Sequence, residues 1–124
     1  MQQQSPPQAP AIDPRATSTA FEIHGFNIRY NMGVVRGVTV RSRSIGGQIG
    51  AAFQTLKGGN ITLLTERAEQ ARQEAYQIMS AHAAQLGGNA IIGIRYDSSE
   101  VMENATEVIA YGTAVWGEWQ QPTP

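Results

Sequence analysis

The chain contains no cysteine in its 124 residues. That absence removes disulfides, thiolate zinc sites and cysteine nucleophiles together, while leaving the redox compartment open. Net charge is nearly absent too. Nine Lys and Arg stand against ten Asp and Glu, for −1 at neutral pH, so the chain as a whole has no field that would gather nucleic acid or an anionic membrane. No basic start leads into an apolar run, which argues against a secretory leader. No stretch approaches the ~20 apolar residues that a membrane span needs. These absences point to a soluble, cytoplasmic protein. Its length suits one domain that buries a core without metal or disulfide support.

Of what is present, the opening MQQQSPPQAPAIDPRATST is rich in Gln, Pro, Ser and Ala. Such a composition cannot offset its ordering entropy by burial, so residues 1–19 are expected to be a flexible tail, with 20–118 the domain and 119–124 a second short tail. From Phe21 to Val40, apolar and β-branched residues alternate irregularly with polar ones. This predicts one short strand and one or two longer ones, with Gly25, Gly33 and Gly37 marking bulges or close backbone approach. From Ile45 the spacing changes: Ile45, Ile49, Ala52, Phe53 and Leu56 recur every three or four residues, predicting a short amphipathic helix ended by Lys57-Gly58-Gly59.

A long helix is predicted from about Thr62 to Leu86. Leu64, Ala68, Ala71, Ala75, Ile78, His82 and Leu86 fall on one face at helical spacing. Alanines in mid-stripe imply that the backbone approaches its partner closely, as on a sheet. Leu86-Gly87-Gly88-Asn89 supplies the stop. Two strands follow. In the first, Ala90, Ile92, Ile94 and Tyr96 share one face; in the second, Glu107 to Trp116, both faces are apolar in the middle. One long helix covers only one side of such a strand, so a second subunit is expected to cover the other. The fold class is α+β, a mainly antiparallel sheet with one long helix and one short helix.

Five blocks carry a family resemblance: GVVRGVTVRSRS at 33–44, GGNITLLTE at 58–66, ARQEAYQIM at 71–79, LGGNAIIGIRYD at 86–97 and EVIAYGTAV at 107–115. In their order and spacing the chain from Phe21 to Glu118 resembles the YbjQ-like family, whose heavy-metal-binding label is an inference. The resemblance implies a small α+β subunit, similar in fold to dodecin-like subunits, that assembles as a homopentameric ring. It implies little about activity. Relatives often carry Glu where Asn60 stands and Tyr where Leu64 stands, so a site needing either group is in doubt here.

The chemical candidates are few. Gly46-Gly47-Gln48-Ile49-Gly50 matches neither a P-loop nor a dinucleotide loop, although the strand-to-helix context could offer N–H groups to an anion beside Arg36, Arg41 and Arg43. The plainer role for these arginines is an interface. Arg29, Arg36, Arg41, Arg43 and Lys57 lie between residues 23 and 60 with no acid, while Asp97, Glu100, Glu103, Glu107 and Glu118 lie between 97 and 118 with no base. Opposite patches on one subunit suit head-to-tail contacts between copies, with Glu107, Tyr111 and Trp116 on the second patch. For a metal ion, the weak candidates are Asp97, Glu100, Glu103 and His82. The carboxylates are hard oxygen donors without a calcium-hand spacing, and soft metals prefer thiolate or imidazole. The serines share two histidines and no Gly-x-Ser-x-Gly elbow, which argues against a hydrolase. Tyr30, Trp116 and Trp119 could stack on bases, but burial at a subunit edge explains the tryptophans more simply. The expected protein is a non-enzymatic homo-oligomer, a scaffold or small-ligand binder, with metal binding or an unidentified enzymatic activity as alternatives.

Overall fold

A computed structural model of the chain describes residues 11–42 and 59–121. After a single 3-10 turn at Pro14–Ala16 come strand β1 (Phe26–Ser42), helix α1 (Gly59–Gln85), strand β2 (Ala90–Met102) and strand β3 (Ala105–Trp119). The sheet order is β1-β3-β2. The start of β1 lies against the end of β3, where the rings of Phe26 and Trp119 meet edge to face at 5.1 Å and the Gln120 N–H donates to the Gly25 carbonyl at 2.7 Å. That pair is therefore antiparallel. A two-residue turn at Glu103–Asn104 makes β2 and β3 antiparallel as well, with Asn104 at φ 66°, a left-handed conformation that Asn tolerates better than most residues. The α+β class with an antiparallel sheet and a long helix is as expected; the short helix predicted over Ile45–Leu56 lies outside the described residues.

β1 is one strand of 17 residues rather than two or three. Its glycines bend it without ending it: Gly33 has φ 113°, and Gly37 is where helix and strand touch. A Cβ on Gly37 would collide with the Ala75 carbonyl and the Met79 amide. The contact selects the buried row of α1, which is Ala71, Ala75, Met79 and Ala83 at four-residue steps. Ala71 and Ala75 were expected there. Ile78 and Leu86 were also expected, but are 47% and 41% exposed: the contact at Gly37 falls on Ala75 and Met79, which turns Ile78 away, and Leu86 lies beyond the last helical residue, Gln85. α1 contains no proline and no glycine beyond its first residue. It stops at Gly87, φ 89°, with Gly88 N–H donating to the Ala83 carbonyl and Gly87 N–H to that of Ala84, the paired closure that a left-handed glycine allows.

The chain divides into two compact units. The first comprises residues up to Val35, Ser80–Ile94, and Gly112 onward. Its core gathers Ala16, Phe26, Ala90 and Val115, with Ile23 and Ile92 packed against them. Ala16 comes from the stretch that composition assigned to a tail. Thr17 forms a parallel bridge with Ile91, Ser18 N–H donates to the Ile91 carbonyl, and Gly93 and Ile94 donate to Ala20 and Ser18. The tail boundary at residue 19 is thus too late, since Ile12 is already buried; Pro14 fixes a turn there in place of a coil, with Asp13 capping it by accepting from the Arg15 amide. At the other end, Trp119 and Gln120 are tied to Phe26 and Gly25 rather than loose. Asn89 clamps β3 by donating to the Gly117 carbonyl at 2.8 Å and accepting from its N–H at 2.9 Å.

The second unit comprises Arg36–Met79 and Arg95–Tyr111. Here β2 runs to Met102 and β3 starts at Ala105, so both extend beyond the Ala90-to-Tyr96 and Glu107-to-Trp116 stretches read from the sequence. Ser98 and Ser99 offer no turn of their own, and Asn104 supplies the one left-handed position the hairpin needs. Residues 95–102 are exposed throughout.

Candidate functional site

The candidate metal donors do not converge. Asp97 and Glu100 both lie on β2, an odd number of positions apart, so strand alternation sends them to opposite faces. Glu103 sits in the hairpin turn, and His82 is half-buried on α1 in the first unit. Among the described residues no group of three His, Cys, Asp or Glu is placed to hold an ion.

The basic candidates are more informative. Arg36 is exposed on β1. Arg41, expected to face another copy, holds Glu74 of its own helix, Nη2 to Oε2 at 2.6 Å, and the Thr39 hydroxyl donates to the same oxygen at 3.2 Å. The Arg41 hydrogen bond, helped by Thr39, keeps the Glu74 carboxyl below the usual range. Both partners are about half exposed, so the pair orients side chains more than it stabilises the fold. The sequence missed it because 33 residues separate the partners and no local spacing signals them. Arg43 lies outside the described residues.

Glu107, Tyr111 and Trp116 are all half-buried on β3. Trp116 meets Tyr30 of its own chain with ring centroids 5.9 Å apart, so part of the cover expected from a neighbour is supplied internally. Tyr96 did not land among the isoleucines of β2. Gly93, φ 64°, shifts the register, so that Ile91 and Ile94 are both buried while Tyr96 is 42% exposed. Burial is the largest influence pushing its phenol upward, with Tyr76 and Glu69 of α1 adding to it and Arg72 opposing. A glycine inside a strand was the available signal. Ser80 Oγ on α1 is buried without a hydrogen-bond partner among the described residues. No helix among the described residues is long and apolar enough to cross a membrane.

Comparison with known proteins places these residues in context. The family model described as "Putative heavy-metal-binding", of the YbjQ type, matches residues 16–118, a start that agrees with the buried position of Ala16. A UPF0145 protein of Burkholderia thailandensis is 54% identical over 103 residues, which are 83% of this chain and 93% of that protein. A UPF0145 protein of Burkholderia mallei matches with the same identity and coverage. Among solved structures, a protein of unknown function from Pediococcus pentosaceus, assigned to the DUF74 family, is similar with a TM-score of 0.54 at 23% identity, covering 82% of this chain and 96% of that one; it supports the fold alone. On the extent of the family match and the identity to its relatives, the chain belongs to the YbjQ-like family of UPF0145 proteins.

Proposed function

We propose that the chain is one subunit of a cytoplasmic homo-oligomer, in its simplest form a pentameric ring, that serves as a scaffold or small-ligand binder and catalyses no reaction. The observation that supports this is the apolar surface of the second unit. Val38, Val40, Val101 and Met102 are 38%, 54%, 50% and 67% exposed, and removing such surface from water is worth ~25 cal/mol per Å². A ring needs complementary rather than identical surfaces on each copy. Arg36 on β1 and the acids Asp97, Glu100, Glu103 and Glu107 on the β2-β3 hairpin supply that asymmetry. Native mass spectrometry of the full chain tests it. A single defined oligomer is expected, five copies for the ring, and a folded monomer at micromolar concentration would overturn it.

The family description favours a second reading, metal binding. The candidate donors Asp97, Glu100, Glu103 and His82 do not fit it within one chain: His82 is a half-buried imidazole, Asp97 and Glu100 lie on opposite faces of a strand, and there is no thiolate for a soft ion. Donors would have to come from several copies. Isothermal titration of metal-free oligomer with zinc, copper, calcium and inorganic phosphate separates the cases. Saturable heat at one ion per subunit or per oligomer supports a site, and silence from an intact oligomer favours the scaffold.

A further inference from the structure

We propose that residues 11–20 form an exchangeable arm, which leaves its own chain as a unit and docks in the same groove of a second copy. This rests on the self-association proposed above and names a segment that passes between copies. The arm lies parallel to the start of β2, with Thr17 bridged to Ile91. Ser18 N–H donates to the Ile91 carbonyl at 2.9 Å, Gly93 N–H to that of Ala20 at 2.8 Å and Ile94 N–H to that of Ser18 at 3.1 Å. Two successive amides, of Gly93 and Ile94, thus face the arm from one side of β2, an arrangement that Gly93 permits at φ 64°. Side chains of the arm enter the first unit as well: Ile12 is 7% exposed and Ala16 1%, the latter in one cluster with Phe26, Ala90 and Val115. A sheet edge takes up a separate extended peptide in the same way, main-chain bonds holding it and a pocket selecting a side chain. Here the pocket holds a methyl group.

The arm is separable because its other bonds are its own. Asp13 accepts from the Arg15 N–H at 3.0 Å and pairs with the Arg15 guanidinium. The Pro14 carbonyl takes the Thr17 hydroxyl at 2.7 Å and the Thr17 N–H at 3.2 Å, and Ser18 Oγ accepts from the Ala20 N–H at 3.0 Å. All of these join residues of the arm to each other, so they travel with it. Release gives up the contacts with the groove and leaves the turn at Pro14 formed. Beyond the arm the chain is fixed again, since Phe26 N–H donates to the Ile23 carbonyl at 3.0 Å, Gln120 N–H to that of Gly25 at 2.7 Å, and Ile23 packs on the core. The joint therefore falls at Phe21 and Glu22, both exposed among the described residues. A few such positions are enough to absorb a change of direction. Because a second copy's arm has the same sequence, it remakes the contacts that the first gave up, and only the joint differs between the two forms. Copies held side by side by association supply that arm at high local concentration.

The chain has no cysteine of its own, so an introduced pair reports without background. Ala16→Cys with Ala90→Cys places two thiols in one core cluster, where Cys packs as a small apolar side chain. Adjacent strands lie ~4.8 Å apart, within the Cα separation that a disulfide spans. The full-length double variant is oxidised as the oligomer, denatured without reductant and weighed by mass spectrometry. Covalent species of two or more chains, resolved to single chains by reductant, are expected. Disulfides confined to single chains of an oligomer would overturn the exchange and leave self-association standing, and a wild type that is monomeric at every concentration would overturn both. Should the double variant fail to fold, hydrogen exchange of the wild type decides. Amides of Ser18, Gly93 and Ile94 that open together, roughly tenfold or more faster than the amide of Asn89 bonded to Val115, support a separable arm, and equal rates refute it.

Discussion

The two units draw on the same strands and the same helix, and among the described residues the first has, around Val115, a cover opposite the helix that comes from the N-terminal segment. There the neighbouring β3 residues Ala114 and Val115 point to opposite faces and are both buried, at 0% and 2% exposure. Ala114 lies near Gly88 at the helix end, and Val115 packs with Ala16 from the N-terminal segment. In the second unit α1 again covers one face, through Ala71, Ala75 and Met79, while Val38, Val40 and Val101 remain exposed. The difference is a few residues long. A segment of roughly ten residues, carrying two buried apolar side chains and three backbone bonds, turns a one-sided sheet into a two-sided one. The chain itself therefore supplies the second cover only locally, around Val115, while Tyr30 and Val34 of the same unit stay 64% and 71% exposed.

The comparison breaks most severely at Gly37, which tests whether the second unit, open on one side, is tightly closed on the other. β-propensity alone would favour Gly37→Val in a strand. The contact with the Ala75 carbonyl and the Met79 amide says otherwise: a side chain there meets helix backbone that cannot rotate away, and α1 must lift off β1. A loss of more than ~3 kcal/mol is expected, at the upper end of what overpacking costs, read as a fall in the urea midpoint. An unchanged midpoint would mean that the helix contact is loose.

Next in size is a matched pair of substitutions, one in each unit. Ala16→Asp places a carboxylate where exposure is 1% and where Phe26, Ala90 and Val115 pack, at a cost on the order of 3 kcal/mol. Val40→Asp puts the same group where exposure is 54%, so the monomer fold should change by less than about 0.5 kcal/mol. Thermal unfolding of both variants at concentrations too low for association checks the contrast. Equal losses would erase the distinction between a closed and an open unit.

The limits of the sequence follow the same division. The long helix was legible because Ala71 and Ala75 recur on one face and Gly87 ends it, and β3 was legible as a strand apolar on both sides. What sequence reasoning misread was decided by tertiary contact. Composition assigns residues 1–19 to a tail, since two buried apolar side chains in a Pro- and Gln-rich stretch give no periodicity; only the proximity of Ile91 and Val115 makes Ala16 core. Period-two counting groups Tyr96 with Ile92 and Ile94 because it has no way to see that Gly93 adopts φ 64° and resets the alternation. Among the candidate site residues, the sequence could name charged positions but not partners: Arg41 was read as an anion-binding or interface residue, and the acid it meets is Glu74 of the same chain.

That pair yields the smallest of the expected effects, and one with a definite sign. Glu74 has its carboxyl held below the ordinary value of 4.5, chiefly by the Arg41 hydrogen bond and further by Thr39. A depressed folded-state value means that the unfolded chain binds the proton more readily, so stability rises with pH across that interval. The contribution is complete above 4.5 and fades as the pH falls below it toward the depressed folded value. Glu74→Gln should therefore narrow the difference in urea midpoint between neutral and acid pH relative to wild type, and Arg41→Gln should do the same by restoring Glu74 to its ordinary value. Both side chains are about half exposed, so added salt should shrink the effect further. Asp13 of the first unit gives the counterpart, held low by Arg15 two residues away. Because that pair joins neighbours in one turn while Arg41–Glu74 joins a strand to a helix, Glu74→Gln should also speed exchange of the β1 amides near Thr39, and Asp13→Asn should leave them unchanged.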